Sequence, residues 1–438
     1  MHTARRIPIP LAIFALGQGC ATELCAEDSP NGEQCQNGGT EPDAGESPGK
    51  EDSGDTGETA DSGEPCPADD WPCQVVPLSG AQAQLIGEFP GDYAGFALAI
   101  LDDRVFVGAR REGTLAVFVS PPVPAGRTLL SDPLVLEGDV LSGGIEVLGG
   151  DEVVLSSAYT TWVVDSLTLS TAEARLWTST VGDYGTGDLT GDGFPDLVVG
   201  LSHVDVVDGL RTGDASNPDA RISGVGYRII VPGDGDGDGV DDVVAMDEYR
   251  ELAYLFRGPF AGEVDASASD ARWGSEFDMS WIEPVGDIDG DGLPEMSIFS
   301  YGQGDNEWIP LILPLREDGT PSLGDALAKI VNDVPGVGLA NAKRAGDVDG
   351  DGRGDLVVEG WVPSERGNVR SVLFYGPIEG SVSLADNGQA ILREDDDAAE
   401  GETRSGDIDA DGLSDLVFGI GDSEEGAGSA YVLYGGAF

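Results

Sequence analysis

Basic residues are scarce in this chain of 438 residues. Only 23 lysines and arginines stand against 81 aspartates and glutamates, and the formal net charge is −58 at pH 7. A chain of this charge repels phosphate backbones and anionic lipid surfaces. The composition therefore predicts no nucleic-acid partner and no membrane contact through a basic patch.

Histidine and cysteine are rare as well. The two histidines are His2 and His203, and the cysteines are Cys20, Cys25, Cys35, Cys66 and Cys73. The chain after Cys73 therefore offers no thiol nucleophile. Serines are plentiful, but none stands in the strand–GxSxG–helix context of a hydrolase nucleophile. The sequence contains no visible catalytic constellation, and it predicts no catalytic residue.

The apolar stretch near the N-terminus, Ile7–Leu16, is too short to span a bilayer. It follows two arginines and precedes small residues, which is typical of an export signal over residues 1–20. Cys20 resembles the lipidated cysteine of a bacterial lipoprotein, although Gly17 stands where such signals usually carry leucine. The sequence predicts export, either as a lipoprotein at the cell surface or outer membrane or as a secreted protein. A lipid on Cys20 is the one membrane attachment that we expect.

Residues 21–78 lack the apolar residues that a core requires. Residues 21–73 contain 15 acids and one base, with many Gly, Ser, Thr and Pro. Such a segment repels itself and cannot bury enough apolar surface to fold, so we expect a disordered acidic linker. If Cys20 carries a lipid, the other four cysteines of the chain suit two disulfides, whose pairing stays open, or a zinc site.

What the chain has in abundance is one acidic loop. Residues 346–358, GDVDGDGRGDLVV, place carboxylates at positions 1, 3, 5 and 9 of a loop and glycine at position 6. Calcium takes about six to eight oxygen ligands, and this alternation directs side-chain oxygens to one point. The frame occurs five times, which predicts up to five structural Ca²⁺ ions. The candidate ligands are Asp188, Thr190, Asp192 and Asp196; Asp234, Asp236, Asp238 and Asp242; Asp287, Asp289, Asp291 and Glu295; Asp347, Asp349, Asp351 and Asp355; and Asp407, Asp409, Asp411 and Asp415.

Two loops depart from the frame. Thr190 supplies a neutral oxygen at position 3, so we expect the first site to be the weakest. Glu295 keeps the charge at position 9 but is one methylene longer. An EF-hand would need an acid at position 12 and a following helix. Position 12 instead lies in a short apolar run in every loop, so the loops are predicted to lead into β-strands.

The loops belong to a longer repeat. Their first aspartates are 46, 53, 60 and 60 residues apart. Each loop strand is followed by a second apolar run, commonly ending in an aromatic residue and glycine, as at 369–376 and 429–435. Two earlier units, at 96–109 and 145–156, keep the strands without the loop. Seven units predict an all-β, seven-bladed β-propeller of four-stranded blades over residues 79–438; a β-solenoid usually has shorter periods.

The ends of the repeat predict how the ring closes. A short apolar run ends most units but is missing from the last one, whereas a matching run, Gln84–Glu88, precedes the first. We predict that Gln84–Glu88 pairs with Ser429–Gly435. This pairing would complete the seventh blade and protect its open edge.

Each repeat consists of a strand, the loop sequence GDxDGDGxxDLVVG, a second strand, and an aromatic residue followed by glycine. This order resembles FG-GAP/VCBS repeats, which form the propeller of integrin α-chains and of many secreted bacterial proteins. The resemblance covers about residues 79–438. The FG and GAP motifs themselves remain only in part, as the reversed pair Gly95 and Phe96 and the pair Gly108 and Ala109. The resemblance implies calcium between the first and second strands of a blade, and it implies nothing about partners.

These features predict a monomeric, calcium-binding propeller that acts as a binding or adhesion scaffold for an unknown protein or carbohydrate. The competing prediction is a polysaccharide lyase or hydrolase, because some calcium propellers that resemble this one belong to such enzymes. A cluster of Arg, Tyr, His and Asp in the channel would favour the enzyme. A smooth face with aromatic residues would favour binding. Trp281 holds an inner-strand position that could face the channel.

Overall fold

The computed structural model describes the chain from Val75 to Ala437, apart from short breaks. The breaks of three or more residues are 138–143, 157–159, 166–174, 179–182, 209–217, 248–251, 275–277, 302–307, 394–401 and 422–425. The predicted export signal, and the predicted linker up to residue 74, lie outside the described residues. None of the helices in the described part has the length and apolar character needed to cross a bilayer.

Strands dominate the described chain, and most are between four and seven residues long. In chain order they are β1 (Val75–Pro77), β2 (Ala83–Ile86), β3 (Ala97–Leu101), β4 (Arg104–Arg111), β5 (Thr114–Val119), β6 (Gly126–Leu129), β7 (Leu134–Glu137), β8 (Gly144–Gly149), β9 (Glu152–Ser156), β10 (Thr160–Asp165), β11 (Arg175–Thr178), β12 (Asp183–Gly187), β13 (Asp196–Gly200), β14 (His203–Val207), β15 (Ala220–Ser223), β16 (Ile229–Gly233), β17 (Asp242–Met246), β18 (Leu252–Phe256), β19 (Gly262–Asp265), β20 (Ala271–Gly274), β21 (Asp278–Gly286), β22 (Glu295–Tyr301), β23 (Trp308–Pro314), β24 (Ala328–Val331), β25 (Gly338–Gly346), β26 (Asp355–Ser364), β27 (Gly367–Phe374), β28 (Gly380–Ser383), β29 (Gln389–Arg393), β30 (Thr403–Gly406), β31 (Asp415–Ile420) and β32 (Ser429–Leu433). In the described residues, the helical turn α1 (Leu384–Asn387) and two 3-10 turns, Ala266–Ala268 and Leu323–Asp325, accompany the strands.

The strands form seven sheets, each with four antiparallel strands, which confirms the predicted seven-bladed propeller. From the inner to the outer strand, blades 1 to 7 are β3-β4-β5-β7, β8-β9-β10-β11, β12-β13-β14-β15, β16-β17-β18-β20, β21-β22-β23-β24, β25-β26-β27-β29 and β30-β31-β32-β2. The inner strand of every blade contacts the inner strands of both neighbouring blades, including β3 of blade 1 with β30 of blade 7. The ring is therefore closed around a central channel.

The predicted closure by an N-terminal strand is also confirmed. β2 pairs antiparallel with β32, with Ala83 opposite Val432 and Ile86 opposite Ser429. The propeller begins earlier than the expected start at residue 79, because β1 pairs in parallel with β29 of blade 6. Both strands therefore join the N-terminal part of the propeller to blades formed by its C-terminal part.

Four short strands extend the outer edges of blades in parallel. Three of them, β6, β19 and β28, lie in the chain between the third and fourth strands of blades 1, 4 and 6. They pair with the outer strands of the preceding blades, 7, 3 and 5. β1 makes the equivalent contact with blade 6. Each one ties a blade to its neighbour through backbone hydrogen bonds.

The hydrophobic core lies between the blades. Seven clusters of buried apolar side chains fill the seven blade interfaces. Successive side chains of a strand point to opposite faces of the sheet. Val105 and Val107 accordingly pack against blade 7, while Phe106 between them packs against blade 2. Trp273 is buried between blades 4 and 5.

Candidate metal centres

The five acidic loops occupy the same place in blades 3 to 7. Each connects the inner strand of its blade to the second strand, and its ninth residue is the first residue of that second strand. In blades 1 and 2 the same connection is only two residues long. The predicted candidate ligands therefore all lie within one type of strand connection or at the first residue of the strand that follows it.

The five loops share one backbone conformation. The glycine at position 6 has a φ of 86°, 90°, 89°, 86° and 93° in the five loops. Position 4 is also left-handed, with glycine in the first four loops and Ala410, at a φ of 60°, in the fifth. Side chains disfavour this region, which explains the glycines. The structure thus adds a second required turn position to the one predicted.

The first aspartate of each loop is oriented by backbone N–H groups. In the fourth loop, Asp347 Oδ1 accepts a hydrogen bond from Gly350 N–H at 2.7 Å and Oδ2 accepts one from Gly352 N–H at 2.9 Å. The bond from the position-6 glycine to the first aspartate recurs in all five loops, at 2.7 to 3.1 Å. These bonds fix the first carboxylate within its loop.

The ninth residue links the loop to the rest of the blade. One of its oxygens accepts the N–H of the second loop residue in all five loops, at 2.7 to 3.0 Å. In the second, fourth and fifth loops the other oxygen accepts the N–H of a glycine just after the third strand. These donors are Gly258, Gly376 and Gly435, at 3.2, 2.8 and 2.8 Å. The glycines that end the second apolar run of these three repeats therefore have a definite role, which the sequence alone did not reveal.

Four of the five loops bring three carboxylates together. Carboxylate oxygens lie within 4.8 Å of one another at positions 1, 3 and 5 of the second, third and fourth loops, and at positions 1, 3 and 9 of the fifth. The first loop, which has Thr190 at position 3, gathers no such trio among its described acids. The members of the four groups are Asp234, Asp236 and Asp238; Asp287, Asp289 and Asp291; Asp347, Asp349 and Asp351; and Asp407, Asp409 and Asp415.

The ninth carboxylates are almost completely buried, with at most 1% of each residue exposed. Burial raises the pKa of Asp242 and of Glu295 to about 7 and that of Asp355 to about 6, although backbone N–H donors act in the opposite direction. Oε1 of Glu295 is buried and accepts no hydrogen bond. A cation in the loop would offset both the buried charge and the unsatisfied oxygen. This all-oxygen donor set fits a hard divalent cation.

Two arginines that the sequence analysis did not single out reach into the second and third loops. Arg257 Nη1 lies 3.3 Å from Asp236 Oδ2 and 3.7 Å from Asp242 Oδ2. Arg316 Nη1 lies 3.6 Å from Asp289 Oδ2 and also pairs with Asp291. Both follow the third strand of their blades, which brings this strand end beside the loop. They partly neutralise their loops, and would compete there with a metal ion.

In the fourth and fifth loops a tyrosine stands near the acids. Tyr375 and Tyr434 directly precede the glycines that bind the ninth carboxylate. Burial and then the charges of the nearby aspartates raise the pKa of Tyr375 to about 12 and also raise that of Tyr434. Both phenols therefore stay neutral and add no negative charge to these loops.

Comparison with known proteins adds little to this description. No family model matches the sequence, and no curated protein matches it. Among solved structures, the chain is similar to the WD40 domain of coronin from Toxoplasma gondii, at 10% identity over 81% of this chain and 87% of that one, with a TM-score of 0.48. It is also similar to BBS1N in complex with ARL6DN, at 10% identity over 79% of this chain and 93% of that one, with a TM-score of 0.43. The seven-bladed architecture therefore rests on the strand pairing of this chain itself.

Proposed function

We propose that this chain is an exported, calcium-binding β-propeller of the FG-GAP/VCBS type that acts as a binding scaffold for a protein or carbohydrate partner. The recurrence of one loop backbone in five blades, each with a buried ninth carboxylate, carries the proposal. A solvated acidic turn has no need of a buried carboxylate. Burial raises the pKa of Asp242, Glu295 and Asp355 even though backbone N–H groups bind them, so their buried charge is offset only in part.

Calcium in these loops would be structural. The residues at positions 1, 3, 5 and 9 would hold the ion, and its charge would offset the repulsion among three or four carboxylates at a strand connection. An ion that binds only the folded state stabilises it by roughly 3–4 kcal/mol per site at about 100–1,000 times Kd. Extracellular calcium modules often bind with Kd of about 10⁻⁴–10⁻³ M, which suits a calcium-rich exterior.

Two measurements test this proposal. The first is thermal unfolding in EDTA and in millimolar calcium, with magnesium as the control, and the second is the stoichiometry of calcium binding by calorimetry. We expect calcium to raise the melting temperature and three to five ions to bind. The fourth and fifth loops should bind most tightly, because arginines occupy the second and third and Thr190 weakens the first. A melting temperature indifferent to calcium, or fewer than three bound ions, would show that the loops are only acidic turns.

Export and lipid attachment are proposed from residues 1–20 alone. If Cys20 carries a lipid, the variant Cys20→Ser should move the protein from the membrane fraction to the soluble fraction. An unchanged distribution between these fractions would instead indicate ordinary signal cleavage and free secretion.

One observation favours the second candidate function, a polysaccharide lyase or hydrolase. The central channel contains Asp183, Tyr184 and Arg228, which are three of the four residue types expected of such an enzyme, and the described lining contains no histidine. A panel of glycans and polysaccharides, assayed for both retention and cleavage by the purified full chain, separates the two functions. Retention without cleavage supports the scaffold, and new reducing or unsaturated ends would support the enzyme.

A further inference from the structure

A cavity of about 450 Å³ lies in the central channel, away from the acidic loops. This volume is within the range of small-molecule sites. Inner strands of blades 2 to 7, or residues directly before them, line the cavity and supply its charged side chains. Four of the chain's 23 basic residues lie here: Arg228, Lys343, Arg344 and Arg404. Basic residues are thus concentrated in the channel of a protein that otherwise carries few of them.

Arg404 is shared between two carboxylates. Its Nη2 lies 2.5 Å from Glu402 Oε1 and 3.6 Å from Glu146 Oε2. Because Glu146 belongs to blade 2 and Arg404 to blade 7, the side chains meet across the inner edge of blade 1. One positive charge between two carboxylates leaves a surplus negative charge. We call these three residues the Arg404 triad.

Arg228 forms a second group of the same kind, the Arg228 triad. Its Nε lies 3.2 Å from Asp183 Oδ2, and its Nη2 lies 3.0 Å from Glu283 Oε1. The guanidinium also stacks on the ring of Trp281, with its central carbon 3.6 Å from the ring centroid. Three neighbouring blades, 3, 4 and 5, contribute to this triad, which also carries a surplus negative charge.

One carboxylate of each triad, Glu146 and Asp183, is incompletely compensated. Burial raises the pKa of Glu146, with Arg404 acting against it and three other acids adding to it. Burial likewise raises the pKa of Asp183, against the effect of Arg228. A further positive charge in the cavity would therefore interact favourably with both groups.

Arg344 differs from the other cations of the cavity. Lys343 pairs with Glu359 at 2.7 Å, whereas the exposed side chain of Arg344 lies over Gly286 and forms no ion pair with any described residue. Arg344 belongs to blade 6, which is three blades from blade 2 in one direction and three blades from blade 3 in the other. The ring order therefore places Arg344 on the side of the channel opposite the blades that carry Glu146 and Asp183.

We propose that the channel cavity binds a small zwitterion, such as an amino acid or a short peptide, with its carboxylate at Arg344 and its ammonium group at the two triads. A simple anion would satisfy Arg344 but would bring negative charge towards four carboxylates. A simple amine would satisfy the triads and leave Arg344 without a partner. Only a ligand with both charges matches both Arg344 and the two triads.

Three probes with the same carbon skeleton test the proposal: 4-aminobutanoate, butanoate and butylamine, each titrated calorimetrically into the full chain in millimolar calcium. We expect the zwitterion to bind at least tenfold more tightly than either singly charged probe. The proposal would be overturned if butanoate bound as tightly as 4-aminobutanoate, or if no probe bound. Glucuronate serves as a fourth probe. If glucuronate binds and 4-aminobutanoate does not, the result would overturn the proposal in favour of an acidic-sugar site.

Variants locate the site. Arg344→Gln should weaken binding of 4-aminobutanoate at least tenfold and leave binding of butylamine unchanged, whereas Arg344→Lys should retain part of the affinity. The control is Arg272→Gln, an exposed arginine on the outer strand of blade 4, which should behave as the parent protein. Unchanged affinity in Arg344→Gln would refute the assignment. Calcium stoichiometry, measured on the same samples, reports separately on the loops and on folding.

Discussion

At the scale of single residues, the acidic loops depend on two positions with positive φ. Position 6 is glycine throughout, and nothing lies within 4 Å of a Cβ added at Gly352. A side chain there would meet no obstacle, so its penalty is conformational only. Ala410 at position 4 of the fifth loop already bears that penalty, with a φ of 60°.

Gly352→Ala and Ala410→Gly form a matched pair that tests this point. We expect Gly352→Ala to lower the free energy of unfolding by about 0.5–1 kcal/mol. Alanine lowers the entropy of the unfolded chain, which is stabilising, but the strain of alanine in the left-handed region is larger. Ala410→Gly should raise it by a similar amount. Denaturant unfolding with and without calcium measures both changes. Equal stability of Gly352→Ala and the parent would contradict the assignment of strain to position 6.

At the scale of the element, each acidic loop and its flanking strands act as one unit joined by the ninth carboxylate. Asp355 is fully buried and accepts the N–H of Val348 and of Gly376, both at 2.8 Å. Asp351, at position 5, is exposed, and among the described residues it accepts the nearby N–H of Arg353 alone. The two acids of one loop therefore have different roles without metal.

Asp355→Ala and Asp351→Ala separate the two roles. In EDTA, Asp355→Ala should lose roughly 2 kcal/mol of stability, because it leaves two buried N–H donors without an acceptor. Asp351→Ala should change the stability in EDTA by less than about 0.5 kcal/mol. In millimolar calcium both variants should fall below the parent if the loop binds the ion. Equal losses in EDTA would mean that the ninth carboxylate does not connect the loop to the blade.

The blade strands could be predicted from the sequence because they alternate or bury apolar residues. β6, β19 and β28 could not, since their sequences GRTL, GEVD and GSVS are polar and mostly exposed. Such strands are stabilised by backbone hydrogen bonds to a neighbouring edge, and hydrophobic patterning does not detect them. Arg257 and Arg316 escaped notice for a related reason, because their contacts depend on where the third strand ends relative to the loop.

At the scale of the whole molecule, the ring depends on β2. Leu85 is fully buried between blades 7 and 1, and Gln84 Nε2 donates to Tyr431 Oη at 3.0 Å. The number of blades and this closure were predictable, because the repeat and its missing last strand are visible in one dimension. The charged channel was not, because Glu146, Asp183, Arg228 and Arg404 are far apart in sequence and only the closed ring brings them together.

Two truncations measure the contribution of the closing strand. Deleting residues 79–88 removes β2, exposes the edge of β32 and opens the interface between blades 7 and 1, so we expect a large fall in melting temperature. Deleting residues 21–70 leaves β1 and β2 in place and should hardly change it. If both truncated proteins melt at the same temperature, β2 does not hold the ring closed.

The order of β1 and β2 along the chain determines how the propeller would respond to mechanical load. Tension applied through the segment ahead of Val75 reaches β1 first, and β1 pairs with blade 6 through only three residues. β2 lies behind it and is held on both sides, by β32 and by β6. β1 would therefore separate first under force and lengthen the chain outside the propeller, while β2 keeps the ring closed.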